Sequence, residues 1–186
     1  MTKVFFIGFH KTGTTSFGEA MKLLGYNNCH GAGKIREEIG DQKMMQLLFQ
    51  KDYSLFIEKA KCFDSFNDNP WFFLYKELDY SFPGSKFILV LREESNWLNS
   101  CKNYFKTPFS PFRFFLYGKG NPINNEERYL SIYRKHNLEV QNYFANRSED
   151  LLTLNLEDDQ KWDKLCAFLG KENTFIEFPK LNQSKK

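Results

Sequence analysis

The apolar residues of this 186-residue chain fall into short runs separated by helical stretches. Residues 3–8 (KVFFIG) predict a buried strand ending at a glycine. A turn rich in glycine and threonine follows. Then Phe17, Ala20, Met21 and Leu24 recur at helical spacing, one apolar face of a helix that Gly25 closes. Residues 35–60 predict one or two weakly punctuated helices, and 61–66 (KCFDSF) a short strand. Pro70 opens a helix through Tyr80, ended by Phe82-Pro83-Gly84. The run 86–91 (KFILVL) is the strongest strand signal, apolar enough to be covered on both faces of a parallel sheet. A helix at about 94–105, a long helix at about 124–146, a strand at 151–156 and a helix at about 160–169 complete the pattern. Strands alternating with helices predict an α/β fold, with a central, mainly parallel sheet flanked by helices in three layers. The stretch 104–122 breaks the alternation with three prolines, two glycines, aromatics and basic residues. It reads as a partly ordered loop or lid.

Length predicts a single domain over 1–186, with no repeat or low-complexity block. Hydrophobic residues at 41% and charged residues at 26% describe a folded chain, not a disordered one. The 21 phenylalanines supply a core, a pocket lining or a partner surface. Lysine and arginine number 26 against 23 acidic residues, a surplus too small for bulk nucleic-acid binding. A local cationic pocket for an anionic small molecule fits better. No apolar run approaches the ~20 residues of a membrane span, and the N-terminus lacks signal-peptide features. Cys29, Cys62, Cys101 and Cys166 are scattered, which predicts reduced thiols, no metal site and a cytoplasmic location.

The turn after the first strand carries the chemistry. It reads Gly8-Phe9-His10-Lys11-Thr12-Gly13-Thr14-Thr15-Ser16. A strand feeding a glycine-containing loop and a helix N-terminus makes an anion site, because unpaired backbone N–H groups and the positive helix end converge there. Its spacing departs from the nucleoside-triphosphatase pattern GxxxxGK[ST]. Gly8 and Gly13 keep the interval, but Thr14 stands where that pattern has lysine, and Lys11 is the loop's only lysine. Such a loop suits a donor with one phosphate-linked group and no metal.

This loop resembles the 5′-phosphosulfate loop of the sulfotransferases that use 3′-phosphoadenosine 5′-phosphosulfate (PAPS), in the form typical of small bacterial-type members. A second motif agrees. The family's 3′-phosphate site is a strand ending in arginine with a serine eight residues later, and here Arg92 and Ser100 have that spacing. Residues 152–170 and the closing 178–182 (FPKLN) resemble family segments too, whereas 104–146 matches least. The resemblance implies a P-loop-like fold and sulfuryl transfer from PAPS to a hydroxyl, or less readily an amine, without a metal. The acceptor would be a small molecule or a glycan.

On that resemblance Lys11 stabilises charge near the bridging oxygen. Thr12, Gly13, Thr14, Thr15 and Ser16 hold the 5′-phosphate, and Arg92 and Ser100 the 3′-phosphate. The loop residues also read as a plain helix cap. Asp68, two residues before Pro70, is the expected general base, against the plainer reading of a helix N-cap. His10 competes as base or serves as an orienter, while His30 and His136 have no supporting constellation. Trp97 belongs to the nucleotide or to the core. The 104–122 aromatics line the acceptor pocket with Lys106 and Arg113, plug the core, or make a homodimer or membrane-surface contact. Two other functions stay open: a nucleotide or nucleoside kinase with a degenerate loop, and a non-catalytic phosphonucleotide-binding module.

Overall fold

Alternation along the apolar runs assigns the sheet its two faces. In the computed structural model, which describes residues 2–107, 109–173, 177–179 and 181, β1 (Val4–Phe6) and β4 (Lys86–Leu91) lie side by side. Phe5, Phe87 and Leu89 point into one apolar cluster, and Val4, Phe6, Ile88 and Val90 into another. β3 (Ser65–Asn67) pairs with β1 on the other side, and β2 (Asn28–His30) and β5 (Leu151–Asn155) form the edges. The order is β2-β3-β1-β4-β5, with every pairing parallel.

Helices cover both faces, giving the three layers expected. The face with Val4 and Phe6 is covered by α1 (Thr14–Leu23) and α8 (Lys161–Leu169), through Phe17, Met21, Trp162 and Leu165. The opposite face carries α2 (Gly33–Gln50), α3 (Ser54–Ala60), α4 (Tyr75–Ser81), α5 (Glu94–Tyr104), α6 (Pro111–Tyr117) and α7 (Glu126–Tyr143). Gly40 breaks α2 at φ 74°, and α3 follows, so the 35–60 region is two helices with a kink in the first. No described helix is long and apolar enough to cross a membrane.

Three expectations shift. The strand placed at 61–66 is β3 at 65–67 instead. The helix after Pro70 opens as a 3-10 turn, Trp71–Leu74, before α4. Part of 104–122 is helical: α6 buries Tyr117 completely and half-buries Phe112 and Phe115 against the core. Arg113 is buried as well, so it is not free to meet an anionic acceptor. Its Nη2 donates to the Thr107 carbonyl and hydroxyl at 2.9 and 2.7 Å.

Gly18 shows how closely α1 approaches the sheet. A Cβ there would meet the Asn67 amide nitrogen at 2.9 Å and that of Asn28 at 3.1 Å. In a solvated helix, alanine for glycine stabilises by about 1 kcal/mol. Here Gly18→Ala is expected to destabilise by about 1–3 kcal/mol, because the new methyl overpacks a buried amide network. Urea unfolding of the two proteins measures the sign.

Candidate functional site

All five parallel strands end toward one hollow of about 650 Å³. His30 ends β2, Asp68 follows β3, His10 and Lys11 lie beyond β1, Arg92 follows β4, and Leu156 and Glu157 follow β5. Ligands of open parallel sheets bind beyond the carboxyl ends of strands, where successive connections leave in opposite directions. In this sheet that point lies between β1, whose chain continues to β2 on one side, and β4, whose chain continues to β5 on the other.

The loop from β1 to α1 supplies one wall. Gly13 sits at the N-cap of α1 with φ 85° and has no side chain with which to cap the helix. Its conformation calls for glycine, and a Cβ there would also press on the end of the Leu156 side chain at 2.6 Å. Gly13, Thr14, Thr15 and Ser16 line the hollow. Thr12 does not: it is fully buried, and its hydroxyl donates to the Phe9 carbonyl at 2.5 Å, fastening the turn from inside. The Ser16 hydroxyl accepts from the Leu181 N–H at 2.9 Å, which brings Leu181 beside the start of α1, and Phe178 and Pro179 also line the hollow. Lys180 and Asn182 of the expected closing motif lie outside the described residues.

Lys11 adopts φ 66°, a left-handed conformation uncommon for a side-chain-bearing residue. Its ammonium lies 3.7 Å from the Tyr104 ring centroid. Burial lowers its pKa, with the Arg92 charge adding to that and Asp68 opposing it. Among the described non-glycine residues with positive φ, Lys11 and Asp68 both line the hollow, and strain of this kind gathers at functional sites.

Arg92 joins the β1 and β4 sides. Its Nη1 donates to the Lys11 carbonyl at 3.0 Å. Its Nε is buried, makes no hydrogen bond, and lies 3.8 Å from the Glu157 carboxylate. The Arg92 backbone is clamped in turn: its N–H donates to the Tyr133 hydroxyl, which donates to its carbonyl. Ser100, one face along α5, lines the same hollow. Trp97 belongs to the core, stacked on Tyr133 at 4.3 Å and donating to the His10 carbonyl at 2.9 Å. A larger hollow of about 970 Å³ also takes in Arg92, together with Arg134, but Glu93, Glu94, Glu157 and Asp158 line it and outnumber the basic residues, which disfavours an anion.

Asp68 sits at the end of β3 with φ 71°. It caps no helix with its side chain: Oδ1 accepts from the Asn69 N–H at 2.8 Å, and Oδ2 faces His30 Nε2 at 3.6 Å.

His10 is fully enclosed. Burial and then the Lys11 charge pull its pKa down to about 3. Burial raises the Tyr117 phenol well above its ordinary value, so the hydroxyl stays protonated, and it shares a hydrogen bond of 2.5 Å with His10 Nε2. His136, at about 4 through burial, is structural and bonds the Ile7 carbonyl at 2.8 Å. Both rings therefore stay neutral in the fold but protonate in the unfolded chain below its ordinary value of 6.5. The unfolded state binds more protons there, so stability falls as pH drops from about 6.5 toward 4, by about 1.4 kcal/mol per unit per histidine. Urea midpoints at pH 7 and pH 5 are expected to show the lower value at pH 5.

Of the residues singled out in the sequence, Lys11, Gly13, Thr14, Thr15, Ser16, Asp68, His10, Arg92 and Ser100 all meet at this hollow, whereas Thr12, Trp97, Lys106 and Arg113 do not line it. His30, Tyr104, Glu157 and Lys161 also line it and were not foreseen there. Among the described residues, no cluster of His, Cys, Asp and Glu is placed to hold a metal ion.

A family model described as "Sulfotransferase domain" matches residues 3–123 and 113–186. Among solved structures, the chain is similar to the crystal structure of a sulfotransferase from Alicyclobacillus acidocaldarius. The identity is 13% and the TM-score 0.57, over 100% of this chain and 87% of that one, a likeness of fold. No curated protein sequence matches.

Proposed function

The chain belongs to the sulfotransferase family, and on that premise we propose that it moves a sulfuryl group from PAPS to a hydroxyl of a small molecule or glycan. The observation that carries this reading is the buried Nε of Arg92, which makes no hydrogen bond and stands 3.8 Å from the Glu157 carboxylate, in the wall of the same hollow that the N-terminus of α1 lines. Two anion-seeking groups in one hollow fit a ligand with two anionic groups. Arg92 offers a planar fork and Ser100 a hydroxyl to the 3′-phosphate. Gly13 to Ser16 present the helix N-terminus to the 5′ end. Lys11 neutralises charge that develops on the leaving phosphate oxygen.

Asp68 serves as the general base in this scheme. It takes the proton of the acceptor hydroxyl as that oxygen bonds to sulfur, and the sulfur–oxygen bond to the 5′-phosphate breaks, leaving its electron pair on the phosphate. His10, neutral and held by Tyr117, orients the loop from behind and does not compete for the proton. The scheme assigns no step to a metal, and it uses residues 1–186 as one domain.

Calorimetry with adenosine 3′,5′-bisphosphate, ADP and AMP tests the donor. A clear preference for the first is expected. Equal binding of ADP, or magnesium-dependent ATP turnover, would return the reading to a kinase.

A further inference from the structure

We infer that His30 is a positioning residue: it carries its proton on Nε2 and braces the Asp68 carboxylate. This rests on the reading of Asp68 as base. The inference starts at Asn67, the last residue of β3, which is 1% exposed. Its side-chain nitrogen lies 2.6 Å from the Thr14 carbonyl, and a carbonyl can only accept. Its side-chain oxygen accepts from the Asn28 amide at 2.8 Å, and Asn28 accepts in turn from the Ser65 hydroxyl at 2.8 Å. These partners fix which end of the Asn67 amide is nitrogen. The second amide hydrogen then points at His30 Nδ1, 2.7 Å away. Nδ1 must be the lone-pair nitrogen, so in the neutral ring the proton sits on Nε2, the atom that faces Asp68 Oδ2 at 3.6 Å.

A histidine on the wall of a transferase site would ordinarily be the first choice for base. Here its lone pair is already engaged behind the site, and toward the cavity it has a hydrogen to give. Asp68 Oδ1 is held by the Asn69 N–H, and His30 stands ready to hold Oδ2. The 3.6 Å gap exceeds a hydrogen bond, as is common for catalytic contacts that tighten only when ligands bind. The same Asn67 amide grips Thr14, so the anion loop and the brace share one anchor.

The first test is spectroscopic and needs no acceptor. Long-range ¹H–¹⁵N spectra of histidine-labelled protein near pH 7.5, assigned with His30→Gln, are expected to show Nε2 protonated and Nδ1 bare. A proton on Nδ1 overturns the proposal. The second test follows conversion of PAPS to adenosine 3′,5′-bisphosphate with water as acceptor. His30→Phe should lower kcat about tenfold, the weight of one hydrogen bond to a charged group, with nucleotide affinity unchanged. His30→Gln, which keeps an N–H donor, should recover most of it. In an Asp68→Asn background, His30→Phe should cost nothing further, because it acts through that carboxylate. Additive losses, or a loss confined to KM, overturn the brace. If Asp68→Asn is inactive while His30→Phe matches the parent, the brace alone fails. If Asp68→Asn matches the parent, the base reading fails and takes the brace with it.

Discussion

Replacing Arg92 with alanine should cost at least a hundredfold in affinity for adenosine 3′,5′-bisphosphate. Two charge-assisted hydrogen bonds to a phosphate contribute about 3–6 kcal/mol together, which corresponds to about 10²–10⁴ in Kd. The variant also loses the bond from Nη1 to the Lys11 carbonyl, so the anion loop loses a lateral support. Arg92→Lys restores charge but not the fork, and should recover only part of the affinity. Calorimetry on all three proteins measures the series. A Kd for Arg92→Ala equal to that of the parent would remove the guanidinium from the nucleotide site.

The second large effect concerns turnover. Asp68→Asn should reduce PAPS conversion by about 10²–10⁴, the usual weight of a general base, while leaving adenosine 3′,5′-bisphosphate binding intact. The substitution is a clean probe for structural reasons. Asparagine tolerates the left-handed backbone at φ 71° as well as aspartate does. Its side-chain oxygen can also keep the hydrogen bond from the Asn69 N–H. Rates under saturating PAPS, beside calorimetric affinities, separate the two quantities. A variant with parental rate would move the base elsewhere.

What was legible in the chain follows from where side chains spend their interactions. β1 and β4 announce themselves because both of their faces are buried, so nearly every residue is apolar. That the turn after β1 and Arg92 would share one hollow was legible from residue type and spacing. β2 was not. Asn-Cys-His has one buried apolar member, and the strand exists through its pairing with β3 and the amide network behind it. Missing β2 meant missing His30, whose role depends on a neighbour 37 residues away. Thr12 reads as a ligand from its position, but a hydroxyl turned inward to Phe9 leaves no trace in sequence. Tyr104 and Glu157 reach the site through the packing of α5 and the end of β5, contacts that no local pattern encodes.

The opposite directions in which the connections leave β1 and β4 have an evolutionary corollary. On the proposed reading, the grip on the nucleotide is split between the turn after β1 and the β4–α5 corner, both anchored in the sheet. Among its described residues, the segment 104–122 reaches the hollow only at its beginning, through Tyr104 and Phe105. Most of its remaining aromatic bulk packs on the core or faces solvent. Insertions or exchanges in that outer segment would therefore leave the donor machinery of the proposed reading as it is.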